Sequence, residues 1–210
     1  MELAIYNISG KETGKKAKLN SDIFSIEPND HAIYLDVKQF LANGRQGTSK
    51  TKERNEVHGS TRKLHKQKGT GGSRKGSIKN PLYRGGGRIF GPEPRDYSFK
   101  LNKKLKRLAR KSALSYKVKE GNITILDTIN FESPKTKNFL DFLKSFESSD
   151  KKILLVIPDN NTNVFLSSRN LANSNVIAAS ELNTYEVLDA EKLFIVEESL
   201  GTIENILNNN

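Results

Sequence analysis

From Glu120 onward, short apolar runs alternate with segments of helical spacing, the pattern left by repeated βα units. NITILD (residues 122–127) predicts a strand. SPKTKNFLDFLKSF (133–146) predicts a helix with Ser133 as N-cap and Pro134 in its first turn. KKILLVIPD (151–159) is continuously apolar, as expected of a parallel strand buried on both faces. A helix over 161–171, a strand at 176–180, a short helix near 184–189, a strand at 192–198 and a last helix through 200–208 complete the series.

Ahead of this series, ELAIYN (2–7) predicts a strand, followed by a Lys-rich, turn-rich stretch that fits a short hairpin. NDHAIYLDVKQFLANG (29–44) predicts a helix capped by Asn29 or Asp30 and stopped by Asn43-Gly44. In a further helix over 101–121, Leu101, Leu105, Leu108, Ala109, Ala113 and Tyr116 recur at helical spacing, with Lys103, Arg107, Arg110 and Lys111 on another face. The expected fold class is α/β, a mostly parallel sheet flanked by helices.

Residues 45–99 break the pattern, with no sustained period of 2 or 3.6. Loops longer than about 15 residues inside a compact domain are normally functional or disordered. From Val57 to Pro92 there are 36 residues with no Asp or Glu, nine Gly and few large apolar side chains. So little apolar surface does not offset a backbone entropy cost of roughly 1–2 kcal/mol per residue, and the segment is expected to be disordered on its own. The domain organisation expected is one globular α/β domain from residues 1–44 and 100–210, with 45–99 as an extended, basic, Gly-rich loop inserted between two helices.

Charge sharpens that division. The 210-residue chain carries +11, but residues 42–111 hold 21 Lys/Arg against four acids, +17, leaving 14 basic and 20 acidic residues elsewhere, −6. A basic segment on a mildly acidic body points to a polyanionic partner, since clustered cations gain free energy by releasing counterions from phosphates. Cysteine is absent, which removes disulfide frameworks and Cys-based zinc sites and fits a reducing compartment. The N-terminal MELAIYNISG lacks a charged segment followed by a long apolar run, and no stretch reaches the ~18 apolar residues of a membrane span, so no membrane partner is expected.

Catalytic motifs fail on spacing. A phosphate loop needs G-x-x-x-x-G-K-[ST], but Gly71 to Gly76 is followed by Ser77, and Gly69-Thr70-Gly71 has Arg74 where the dinucleotide motif requires its third Gly. His31, His58 and His65 stand apart from any nucleophile or carboxylate arrangement, and G-x-S-x-G is absent. No enzyme activity, cofactor or metal is expected. RNA binding suits the spacing. Arg45, Lys50, Lys52, Arg54, Arg62, Lys63, Lys66 and Lys68 on the outgoing arm, and Arg74, Lys75, Lys79, Arg84, Arg88 and Arg95 on the returning arm, recur every few residues. They can meet phosphates on several sides, and Lys103, Lys104, Arg107, Arg110 and Lys111 extend the set along the following helix. Tyr83 and Phe90 are candidates either for stacking on bases or for anchoring the returning chain.

RQGTSKTKERNEVHGS, KQKGTGGSRKGSIKNP and YRGGGRIFGPEPRDYSFKLNKKLKRLARKSALS together resemble the bacterial large-subunit ribosomal protein four family. The resemblance is most specific over residues 45–115, above all in Gln67-Lys68-Gly69-Thr70-Gly71 and in Arg84-Gly85-Gly86-Gly87 with Phe90-Gly91-Pro92. This chain has Leu64-His65 where the family commonly has Pro and an aromatic, and Ser73 where it commonly has Ala. The resemblance implies a cytoplasmic ribosomal constituent that binds 23S-type large-subunit RNA early in assembly and neighbours other large-subunit proteins. It also implies that the loop tip, Gln67 to Gly71, lines the exit tunnel beside the nascent peptide. At ~3.3 Å per extended residue, half the excursion reaches on the order of 80–90 Å. The competing expectation is a free RNA chaperone or regulator with an Arg/Gly-rich disordered segment, although such segments are typically terminal or repetitive.

Overall fold

A computed structural model describes residues 1–208 and divides the chain into two compact units, Met1–Leu41 with Lys100–Asn210, and Ala42–Phe99. The first is built on a six-stranded sheet. Its strands are β1 (Glu2–Tyr6), β2 (Glu12–Lys18), β3 (Ile123–Leu126), β4 (Ile153–Ile157), β5 (Ser174–Ala178) and β6 (Lys192–Val196), in the order β2-β1-β3-β6-β4-β5. Only the β1–β2 hairpin pairs antiparallel, as the Lys-rich stretch predicts; the other neighbours are parallel. The sheet is therefore mixed and mostly parallel, flanked by helices, as the βα pattern leads one to expect.

Period-two alternation explains why β4 and β6 are apolar throughout. Leu154 and Val156 of β4, with Leu193 and Ile195 of β6, join one core cluster, while Ile153, Leu155, Ile157, Phe194 and Val196 join the other. The first cluster is closed by α1 (Ser21–Phe24), α3 (Lys103–Lys119), α6 (Thr184–Asp189) and α7 (Glu197–Asn208). The second is closed by α4 (Thr136–Ser145) and α5 (Thr162–Ser168), where Phe139, Phe142, Phe146 and Phe194 pack edge to face. The helix α2 (Asp30–Asn43) is capped by Asn29, whose Oδ1 accepts from the Ala32 N–H at 2.9 Å. It is tied to α6 by the Thr184 hydroxyl donating to Asp36 and by Phe40 stacked on Tyr185.

Several boundaries differ from the sequence reading. Helix α4 begins at Thr136 rather than Ser133, because the Lys135 N–H turns back to the Ser133 carbonyl at 2.9 Å and delays the helix. Helix α5 ends at Ser168 rather than Leu171, where the Ser167 and Ser168 hydroxyls bond back to the carbonyls of Asn163 and Phe165. Strand β5 starts at Ser174 and gives way at Ala179 to a 3-10 turn. Strand β6 stops at Val196, and Glu197 and Glu198 form the first turn of α7, where carboxylates complement the helix dipole.

The buried face of α3 also differs. Leu108 is exposed, whereas Ala109, Ser112, Ala113, Leu114, Ser115 and Lys117 are buried. The two serines are absorbed by the chain before α2. Ser115 Oγ donates to the Ile23 carbonyl and accepts from the Ile26 N–H, and Ser112 Oγ accepts from the Asn29 N–H at 3.1 Å. Those bonds rotate the inward face of α3 away from the leucine stripe.

Candidate nucleic-acid interface

Residues 45–102 run as turns, bends and irregular chain. What organises the second unit is a sparse set of hydrogen bonds between its outgoing and returning arms. The Arg95 N–H donates to Gly47, Thr51 to Pro92, Arg88 to Lys52 and Leu64 to Gly76, at 2.9–3.1 Å. Ser77 Oγ donates to the Ser60 carbonyl at 3.1 Å. Between Ser77 and Arg88 the chain makes successive tight turns, closed by bonds from Tyr83 to Asn80, Gly86 to Tyr83 and Gly87 to Lys79.

The glycines fall into two groups. A Cβ on Gly86 would lie 2.0 Å from the Asn80 carbonyl oxygen, on Gly87 2.3 Å from the Arg54 nitrogen, and on Gly91 1.9 Å from Thr51 Oγ1. Gly87 and Gly91 let the arms approach where no side chain fits, and Gly86 lets the returning arm turn tightly on itself. Gly69, Gly71 and Gly76 face open space, with nothing within 4 Å of the added atom. Gly86 and Gly87 of the returning arm thus serve the segment's own packing, and Gly69 and Gly71 of the tip do not.

Of the fourteen Lys/Arg in the second unit, twelve are exposed, and Lys75 and Lys79 are half-buried. Among the described residues, Lys50 is the only one of them ion-paired, with Glu56. Its hydrogen bond to Glu56 raises the Lys50 pKa and, with a bond from the Glu53 N–H, lowers that of Glu56. At the base of the segment, Arg45 lies 3.8 Å and Arg95 4.6 Å from the centroid of the Tyr97 ring. Hydrogen bonding from the Arg95 side chain, with the charges of both arginines, lowers the Tyr97 phenol from its ordinary value. The tip residues Gln67, Lys68, Gly69, Thr70 and Gly71 are all exposed, and Lys63 bonds to the Gln67 side chain.

On α3, Lys103 and Lys104 are exposed, while Arg107, Arg110 and Lys111 are half-buried. Lys111 Nζ donates to Asn208 Oδ1 at 2.9 Å, and Arg110 Nε is buried without a hydrogen-bond partner among the described residues. The two aromatics also separate: Tyr83 is half-buried among the turns, whereas Phe90 is 103% exposed. Phe90 has a φ of 54°, a left-handed conformation that costs a non-glycine residue roughly 1–2 kcal/mol. The Tyr97 clamp and the carboxylates Glu53 and Glu93, which line a cleft of about 360 Å³ beside Phe90, escape the sequence reading. The only signal for the clamp is an aromatic two positions after Arg95, and nothing in the sequence brings Glu53 and Glu93 together.

The arrangement offers exposed cations on two arms held together by hydrogen bonds. The sequence pattern of the Ribosomal protein L4/L1 family matches residues 17–206. The chain is 60% identical over 207 residues to the large ribosomal subunit protein uL4 of Phocaeicola vulgatus, covering 99% of this chain and all of the relative. It is 59% identical to the proteins of the same name from Christiangramia forsetii and Flavobacterium johnsoniae, each over 207 residues and 99% of this chain, with 100% and 99% of those relatives covered.

Proposed function

The chain belongs to the Ribosomal protein L4/L1 family, and from that premise we propose that it is a structural constituent of the large subunit of the cytoplasmic ribosome. In this reading it binds large-subunit RNA directly and early in assembly, beside neighbouring large-subunit proteins. Residues 1–44 and 100–210 act as the globular body, and 45–99 as the RNA-binding loop. The family is a structural one, and the role requires no chemistry.

The observation that carries the reading is the exposure of twelve of fourteen cations in a unit containing four acids. Held on two arms, these charges would be mutually repulsive without a polyanion between and around them. Cations on both arms offset phosphate repulsion, while the small side chains of Gly69, Thr70 and Gly71 leave room in a narrow passage. The tip from Gln67 to Gly71 accordingly lines the peptide exit tunnel, with Lys68 on RNA because an unpaired charge in a confined site is costly.

Two experiments test the two halves of this reading. Sedimentation in moderate salt should keep the protein with large subunits; a mostly free protein would favour an RNA chaperone. Deleting residues 66–73 should leave the chain incorporated into subunits while altering nascent-chain stalling or the response to tunnel-binding antibiotics. Normal assembly with unchanged stalling and drug response would refute the tunnel role.

A further inference from the structure

Thr51 and Lys52 are consecutive, yet their backbone bonds go to Pro92 and Arg88. Residues 89–91 therefore lie between these two backbone bonds and form a bulge held at both ends. Gly91 packs against Thr51, and Phe90 adopts its left-handed backbone with the ring entirely in water. Both the exposed ring and the backbone conformation are unfavourable in the free chain. A bulge that retains both, clamped at each end, is built to present the ring outward.

The surroundings identify what the ring meets. The adjoining cleft is lined by Lys50, Glu53, Arg54, Arg88, Ile89 and Glu93, among others, with Lys50 drawn toward Glu56, and the unit carries fourteen cations against four acids. An apolar protein partner would not match that charge. Within the cleft, however, the carboxylates of Glu53 and Glu93 repel a phosphate and accept hydrogen bonds from the amino groups of a base edge. Arg54 and Arg88, both exposed, border the same cleft and suit the flanking phosphates.

We propose that the 89–91 bulge is a base-recognition subsite: Phe90 stacks on one unpaired nucleotide of RNA, whose amino-bearing edge enters the cleft between Glu53 and Glu93. This rests on the RNA-binding reading above and adds to a segment otherwise contacting phosphates a subsite in which Phe90 supplies stacking and the carboxylates of Glu53 and Glu93 favour bases with an amino group over uracil.

Binding of the full chain to deproteinised large-subunit ribosomal RNA, measured over a range of salt, tests it. Stacking on one base is worth about 1–3 kcal/mol, a 5- to 150-fold change in affinity. Phe90→Ala should weaken binding within that range without changing the salt slope, Phe90→Leu should weaken it similarly, and Phe90→Trp should restore it. The chain contains no Trp, so Phe90→Trp is also a single fluorescent reporter whose emission should be quenched by the RNA. An affinity for Phe90→Ala within twofold of the parent, full rescue by Leu, or unchanged Trp emission would overturn the subsite. Failure of the underlying reading looks different: the unmodified chain would then bind this RNA weakly and with little dependence on salt.

Discussion

The two units solve opposite problems with one chain. Among the described residues, every buried hydrophobic side chain lies outside residues 42–99, in the sheet and its helices. Inside that segment the buried positions are Ser77 and Gly87. The sheet unit is held by apolar surface removed from water, which needs no partner. The basic unit is held by scattered backbone bonds and close glycine contacts, each worth little in water. We therefore expect its order to depend on something that neutralises its charge, and that of the sheet unit to need no partner.

The largest effect expected from this contrast is on stability. Phe194→Ala, at the centre of the aromatic cluster, should destabilise the isolated protein by about 3–5 kcal/mol in denaturant unfolding. Leu82→Ala, at a side chain 89% exposed, should change it by less than about 0.5 kcal/mol. Comparable losses at both sites would mean that the basic unit has a core of its own. Next in size are the packed glycines. Gly87→Ala forces an overpacking cost of about 1–3 kcal/mol on the arms. It should therefore weaken RNA binding without altering unfolding of the sheet unit, while Gly76→Ala, in open space, should bind like the parent. Equal behaviour of the two variants in binding assays would erase the distinction between them.

How much of this is legible in the sequence depends on which interaction decides each feature. The run ILLVI announces β4 because burial on both faces leaves no polar position, and the short helix expected near 184–189 is α6. Helix α1 passes unnoticed, since four residues carry no period. The leucine stripe of α3 misleads because the backbone of residues 23–29 takes Ser112 and Ser115, a pairing separated by more than 80 residues. In the basic unit, composition alone predicts exposed cations. The division of glycines into packed and open, and the bulge at Phe90, depend on which arm residues meet, and pattern does not encode that.

A smaller effect separates the cations of α3. If Lys103 and Arg107 meet phosphates, replacing each with Gln should lower the log–log salt slope of RNA binding by about 0.7–0.9 for every phosphate left without its cation. Lys111→Gln should change it less, because that ammonium is already held by Asn208. A slope untouched by the first two substitutions would assign this face of α3 to solvent.

The most direct test of conditional order is amide hydrogen exchange on the same chain, free and bound to large-subunit RNA. The account predicts that, in the free protein, amides of β4 and β6 exchange only through global opening, while those of residues 66–90 exchange rapidly. On RNA binding the second set should become strongly protected. Strong protection through residues 66–90 in the absence of RNA would contradict it, because the segment would then be holding itself in place.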